Sequence, residues 1–299
     1  MVLLSRKGIK EFKLTNMHEQ PLKLSSKLFS CVKLERLTLW NCSLHPTPTF
    51  SGFPYLLHLS FYNVIFVNRN FGEFITQCPL LKLLEVGHFD LDPIRIIKMG
   101  EIAKLKSLEC LCLQLCKLDI ITFTSSLVFH LVSHFSKLQK LYLDLRKCKF
   151  IRESGGIGNW VRTSLSCLRT LQLQYIDFGS DIMLSFVNDM ICGLPELQTL
   201  KITAEYNYVF PPPAFCASDL NHISMGQLQL RVIDFNSFRC SENEIWLIKS
   251  LLACSPALKK MYIHPSVCLN YEKSMFATKL LKLHRASSAA EVNIIGRLQ

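Results

Sequence analysis

Three groups of residues in the 299-residue sequence have types and spacings that can do chemistry. His130 and His134 stand four apart in His130-Leu-Val-Ser-His134. On a helix that spacing puts both imidazoles on one face, an arrangement able to hold zinc. No third ligand follows in ligand order, so the two read as partly buried structural histidines and no metal is expected. Cys110, Cys112 and Cys116 crowd into seven residues. On a strand Cys110 and Cys112 flank Leu111 and share a face, which leaves a redox or metal role open for that pair, while Cys116 falls where a turn anchor packs. Gly155-Gly-Ile-Gly158 is glycine-rich but lacks the Gly-Lys-Ser/Thr of a phosphate loop and leaves Gly-x-Gly-x-x-Gly incomplete, so it reads as a flexible insertion. Gly-x-Ser-x-Gly, His-Glu-x-x-His and the kinase signatures are absent. The expectation is a chain with no catalytic site and no cofactor.

The elements that hold these residues follow from an internal repeat. The pattern apolar-x-x-apolar-x-apolar recurs ten times. It is carried by Ile9, Phe12, Leu14; Leu34, Leu37, Leu39; Leu56, Leu59, Phe61; Leu81, Leu84, Val86; and Leu108, Leu111, Leu113. It continues as Leu138, Leu141, Leu143; Leu168, Leu171, Leu173; Leu197, Leu200, Ile202; Leu230, Ile233, Phe235; and Leu258, Met261, Ile263. Successive units start 22 to 33 residues apart, the period of a leucine-rich repeat. Each apolar-x-apolar core is a short strand with one apolar face. A lone unit cannot bury that face, whereas stacked units can. The expected fold is an α/β leucine-rich-repeat solenoid with a parallel concave sheet and convex helices and loops. Cys42, Val64 and Cys116 occupy the turn position where the commonest repeat has Asn, which predicts less regular turns. Helices are expected at Phe71 to Thr76, Ser180 to Cys192 and Ser241 to Ala253, each followed by a proline that stops it. Ser241-Glu-Asn-Glu244 has the spacing of a capping box.

Strand residues that alternate with the buried positions face the concave side. Along that face we expect partner-binding positions at Arg36, Trp40, His58, Tyr62, Lys140, Tyr142, Asp144, Gln172, Lys201 and Tyr262. Trp, Tyr and Arg bring large contact area with polar tips and are favoured anchors of protein interfaces. Trp40 and Tyr62, aromatic residues in adjacent units, are the leading candidates.

Bulk properties narrow the partner class. Hydrophobic residues make up 49% and charged residues 19%, enough for a large core. The formal net charge is +11, but Lys and Arg are scattered and the densest runs, such as Arg146-Lys-Cys-Lys149, are short. That distribution favours an acidic protein partner over nucleic acid. No apolar run reaches a membrane span, and the N-terminal apolar run is too short for a signal peptide. The 13 cysteines are odd in number and mostly sit in apolar stretches, which fits a reducing compartment, cytoplasm or nucleus. There the sequon Asn41-Cys42-Ser43 carries no meaning.

Leu4-Ser-Arg-Lys-Gly-Ile-Lys-Glu-Phe12 resembles the entry into the repeats of the plant F-box/FBD/LRR-repeat family. Leu24 to Cys31 and Leu34-Glu-Arg-Leu-Thr-Leu-Trp-Asn-Cys42 are similar to its first full repeat. Val232-Ile-Asp-Phe-Asn-Ser-Phe238, Ser241-Glu-Asn-Glu-Ile245 and Leu251 to Met261 are similar to its FBD domain. The resemblance implies leucine-rich repeats over 1–222 and an FBD-like module over 223–299 that continues and caps the solenoid. It also implies the substrate-recognition part of an SCF-type E3 ubiquitin ligase receptor. The family's F-box, which docks on the SCF adaptor, has no counterpart in these residues. The adaptor is therefore an expected partner only if an F-box lies upstream. Two rival expectations stand beside this one, a basic binder of nucleic acid or an anionic surface, and a non-functional truncated product.

Overall fold

The computed structural model describes residues 8–67, 71–87, 97–118, 120–152, 167–206, 226–266, 280 and 282–295. Two compact units divide the chain, residues 1–121 with 130–140, and residues 122–129 with 141–299. The proposed boundary at 222/223 and the segment Gly155–Gly158 lie outside the described residues.

In the first unit β1 (Glu11–Thr15), β3 (Arg36–Leu44), β4 (His58–Phe66), β5 (Leu83–Gly87) and β6 (Cys110–Gln114) stand side by side in chain order, with β2 (Leu22–Lys23) beside the far end of β3. Every pair for which a register is resolved is parallel. The register sets the repeat leucines abreast, so that Phe12, Leu37, Leu59, Leu84 and Leu111 form one inward row. Leu59, Leu84 and Leu111 are completely buried. Behind the sheet lie α1 (Phe71–Thr76) and the single turn α2 (Met99–Ile102).

A phenylalanine cluster fills the first unit. Phe29, Phe50, Phe53, Phe61, Phe66, Phe71 and Phe74 contact one another at centroid separations of 4.8–6.4 Å. Ring pairs at such distances attract beyond the area they bury. The chain reaches this cluster through Gly52, whose φ is +102° and whose absent side chain would meet the Gln77 carbonyl at 2.0 Å.

The second unit repeats the plan. From Leu141 on, β7 (Lys140–Asp144) begins its sheet, and β8 (Thr170–Ile176), β9 (Thr199–Ala204), β10 (Val232–Phe238), β11 (Lys260–Pro265) and β12 (Glu291–Ile294) follow in order. Leu171, Leu200, Ile233, Met261 and Val292 make the inward row. β12 is a repeat that the sequence reading missed, because alanine takes the place of its leading leucine. The helix α3 (Ser125–Ser133) has its first residues in this unit and its last in the first, and α4 (Asp181–Cys192) and α5 (Glu242–Cys254) precede strands, as expected for the stretches ending at Pro195 and Pro256. Ser180 caps α4 by accepting from the Met183 N–H. The predicted capping box of α5 is present, with Ser241 and Glu244 each accepting from the other's backbone N–H.

The turns vary from repeat to repeat, with register shifts in two of them, yet four share one backbone conformation. The residue four after the first inward strand position adopts a left-handed backbone in four repeats: Asn41 (φ 53°), Asn63 (52°), Tyr175 (63°) and Ser237 (61°). The last two coincide with register shifts at Gln174/Ile176 and Asn236/Phe238. In the first three repeats this place is held by Asn16, Asn41 and Asn63, which form a ladder one position before the place where asparagine was looked for. Asn16 Nδ2 donates to the Asn41 carbonyl at 3.0 Å, and Asn63 Nδ2 to Asn41 Oδ1 at 2.8 Å. Asn tolerates the left-handed region and satisfies neighbouring backbone with its amide. Cys42, completely buried, adds a thiol bond to the Trp40 carbonyl at 3.3 Å. Cys116 is half-buried, and Leu115 and Leu118 beside it fill the core, so the anchor predicted at Cys116 is supplied by its leucine neighbours. Among the described residues no helix is long and apolar enough to cross a membrane.

Candidate interaction face

Alternation along the strands leaves three rows of side chains on the open face of the first unit. The register aligns Glu11, Arg36, His58, Leu83 and Cys110; then Lys13, Thr38, Ser60, Glu85 and Cys112; then Thr15, Trp40, Tyr62 and Gly87. The rows owe their spacing to the buried leucines between them, so side chains from different repeats are held at fixed separations by the sheet.

Trp40 and Tyr62 come together as their positions in the sequence anticipated. Their ring centroids lie 5.0 Å apart with planes tilted by 30°. Both are half-buried rather than fully exposed. Beside them Gly87 makes room, since a Cβ there would stand 2.9 Å from Tyr62 Cδ1. Glu85, which sequence reasoning passed over, ties the rows together. Its carboxylate accepts from Ser60 Oγ at 3.0 Å and from the Tyr62 hydroxyl. Burial first, and then the Glu85 carboxylate, push the Tyr62 phenol well above the ordinary tyrosine range, so it remains a neutral donor. A lone glutamate between two leucine positions carries no signal in sequence, because its meaning comes from the strand beside it. Arg36 is engaged laterally, with Nε and Nη2 at 3.0 and 2.9 Å from Glu11 Oε2. His58 is half-buried beside Arg36 in the same row, and Lys140 is exposed near Cys110.

The other expected positions belong to the second unit. Gln172, Lys201 and Tyr262 share one row with Asp234 and Asn293. Asp234, also missed, is its polar centre, with His264 Nε2 at 3.2 Å, Asn236 Nδ2 at 3.2 Å and Lys201 Nζ at 3.8 Å. Asp144 is occupied by Arg146, whose Nε and Nη2 reach both carboxylate oxygens at 2.7–3.2 Å. The Arg146 guanidinium stacks over the Tyr175 ring at 4.0 Å. Tyr142 is half-buried on β7. The basic run Arg146–Lys149 thus begins with a neutralised arginine.

His130 is exposed, and His134 Nδ1 lies 2.8 Å from the His130 carbonyl, so the pair is joined through backbone at the end of α3. Cys110 and Cys112 lie on the open-face side of β6, Cys110 buried and Cys112 half-buried, with sulfurs 4.0 Å apart. Among the described residues no group of three or more His, Cys, Asp or Glu is placed to hold a metal ion.

Comparison with known proteins bears on this arrangement. Residues 1–125 match the family model for the LRR repeats of the FBD-associated F-box protein At5g56370. Over 313 aligned positions the chain is 24% identical to the F-box/FBD/LRR-repeat protein At1g13570 of Arabidopsis thaliana, covering 98% of this chain and 74% of that protein. Among solved structures it is similar to the plant peptide hormone receptor RGFR1 in complex with RGF2, at 14% identity and a TM-score of 0.41, over 98% of this chain. It is also similar to internalin C2 of Listeria monocytogenes, at 13% identity and a TM-score of 0.33, over 91% of this chain and 84% of that one. The chain spans 46% of the RGFR1 chain. Both sequence matches make the chain similar to plant F-box/FBD/LRR-repeat proteins, through the repeats of residues 1–125 and, at 24% identity, along nearly its whole length.

Proposed function

We propose that this leucine-rich-repeat module recognises a target protein on the open face of its sheet, in the manner of the substrate-recognition part of an SCF-type ubiquitin ligase receptor. The stacked Trp40–Tyr62 pair backed by Glu85 supports this reading most directly. Two large rings are positioned by a leucine ladder and a glycine rather than buried in the core. Preorganised aromatic area of this kind loses little conformational entropy on binding. No catalytic step is assigned to the chain, and recruitment to an adaptor is assigned to whatever F-box accompanies it.

Capture from plant extract by the full chain tests the assignment. Trp40→Ala with Tyr62→Ala is expected to lower target retention by about 30-fold, the scale of an interface hot spot. Lys249→Ala, at an exposed position of α5, is expected to leave retention unchanged. Equal retention by wild type and a folded double variant would remove Trp40 and Tyr62 from the binding surface.

A further inference from the structure

We propose that Cys110 and Cys112 form a peroxide-oxidisable dithiol that closes to a disulfide within a single strand, a modification site on the open face of the first unit. The observation is geometric. Two residues apart on β6, both thiols project to the same side, and their sulfurs already lie 4.0 Å apart. Leu111 between them is completely buried in the repeat core, which fixes the strand and therefore the pair. In an extended strand the two Cα atoms are about 6.7 Å apart, close to the upper end of the range that disulfides span, about 4.4–6.8 Å. Closing the bridge draws the strand in locally, because same-face Cβ atoms two residues apart stand farther apart than the about 3.5–4.5 Å a disulfide spans, and a bridge strained in this way is readily reduced again.

The surroundings distinguish Cys110 from the other thiols. Cys110 is lowered in pKa, chiefly by the hydrogen bond from Cys112 and also by the Lys140 ammonium, against the opposing pull of burial and Glu85, while that same hydrogen bond and burial push Cys112 far up, so that Cys112 is the protonated donor. Cys42 and Cys78 are pushed up to about 11 by burial, and Cys31 and Cys254 are raised by it too. A thiolate is the nucleophile toward peroxide. The Cys110 thiolate attacks one oxygen of hydrogen peroxide, forming an S–O bond, and the O–O bond breaks to release hydroxide, which takes a proton to become water. The Cys112 sulfur then attacks the resulting sulfenic sulfur. The S–S bond forms, the S–O bond breaks, and the departing hydroxide leaves as water with the proton of Cys112. The two thiols together surrender two electrons and two protons, and the peroxide becomes two waters.

Trypsin releases Ser107–Lys117 as one peptide carrying Cys110, Cys112 and Cys116, which makes the reading direct. The full reduced chain is treated with limiting hydrogen peroxide, alkylated, digested and analysed by mass spectrometry. The expected peptide is lighter by two hydrogens, carries a single alkyl group on Cys116, and regains three alkylation sites after dithiothreitol. Cys116→Ser is expected to leave the bridge intact, and Cys112→Ser to halt Cys110 at a sulfenic acid trapped by dimedone. Three alkylated cysteines at a peroxide dose that already oxidises the exposed Cys167 would overturn the proposal. So would a bridge that uses Cys116, or one that joins two chains.

Discussion

The behaviour of single side chains is set by what the sheet places beside them. Gly87 is a sharp case. Gly87→Ala puts a Cβ within 2.9 Å of the Tyr62 ring, which Trp40 and Glu85 already hold from other sides. The expected outcome is a loss of target capture comparable to Tyr62→Ala, read by titration calorimetry, with a melting shift of a few degrees at most. Glu244 offers a prediction in pH. It is completely buried, and its carboxylate takes bonds from the Ser241 N–H at 2.7 Å, the Arg239 N–H and the Tyr206 hydroxyl. Burial is the largest influence and raises its pKa above the ordinary glutamate value, with those donors opposing in part. An acid raised in the folded state contributes stability that is complete below its unfolded pKa and is lost as pH rises through the folded one. Glu244→Gln keeps the capping box and cannot ionise. Urea titrations across the acidic to neutral range are expected to show a flatter stability profile for the glutamine variant. A wild-type profile that climbs with pH through this range would contradict the assignment.

At the scale of elements, caps and close approaches carry the specificity that the leucine pattern lacks. Ser241→Ala removes the side chain that accepts from the Glu244 N–H and is expected to cost about 1 kcal/mol in chemical denaturation. Glu244→Ala strips a buried acceptor from several donors and is expected to cost about 3 kcal/mol. In the first unit Gly52→Ala meets both a left-handed backbone and the Gln77 carbonyl. Its expected cost is about 3 kcal/mol, while Phe74→Ala in the ring cluster removes about 3–5 kcal/mol. These helix and turn features were legible to different degrees. The α5 cap and the helix stops at Pro195 and Pro256 were readable because local hydrogen bonding and missing N–H groups act within a few residues. The left-handed position at Asn41, Asn63, Tyr175 and Ser237 was not, because three residue types share it and only the register of neighbouring strands reveals the common place.

At the scale of the molecule, five cations among the described residues are held in close pairs. Lys10 with Glu35, Arg36 with Glu11, Lys82 with Glu109, Arg146 with Asp144 and Arg169 with Glu196 set carboxylates beside cations at 2.6–2.9 Å. Exposed pairs of this kind add little stability, but each sets a carboxylate beside a cation and so weakens the positive field around it. Retention on bulk DNA or RNA is therefore expected to be negligible at about 0.15 M salt. Strong binding that weakens steeply as salt rises would restore nucleic acid as the partner class. The sequence by itself determined the repeat, its parallel sheet, which face of each strand is buried, and three of the helices. A period of 22 to 33 residues with a two-residue apolar alternation leaves few other ways to hide that surface. It also placed Trp40 and Tyr62 on one face. Only the tertiary structure decided that Glu85 and Gly87 support those rings, that Asp144 is spent on Arg146, and that Cys110 and Cys112 lie within 4.0 Å. Those outcomes depend on lateral register between residues some 25 positions apart, or on the side-chain conformers that packing selects, and no local pattern encodes either.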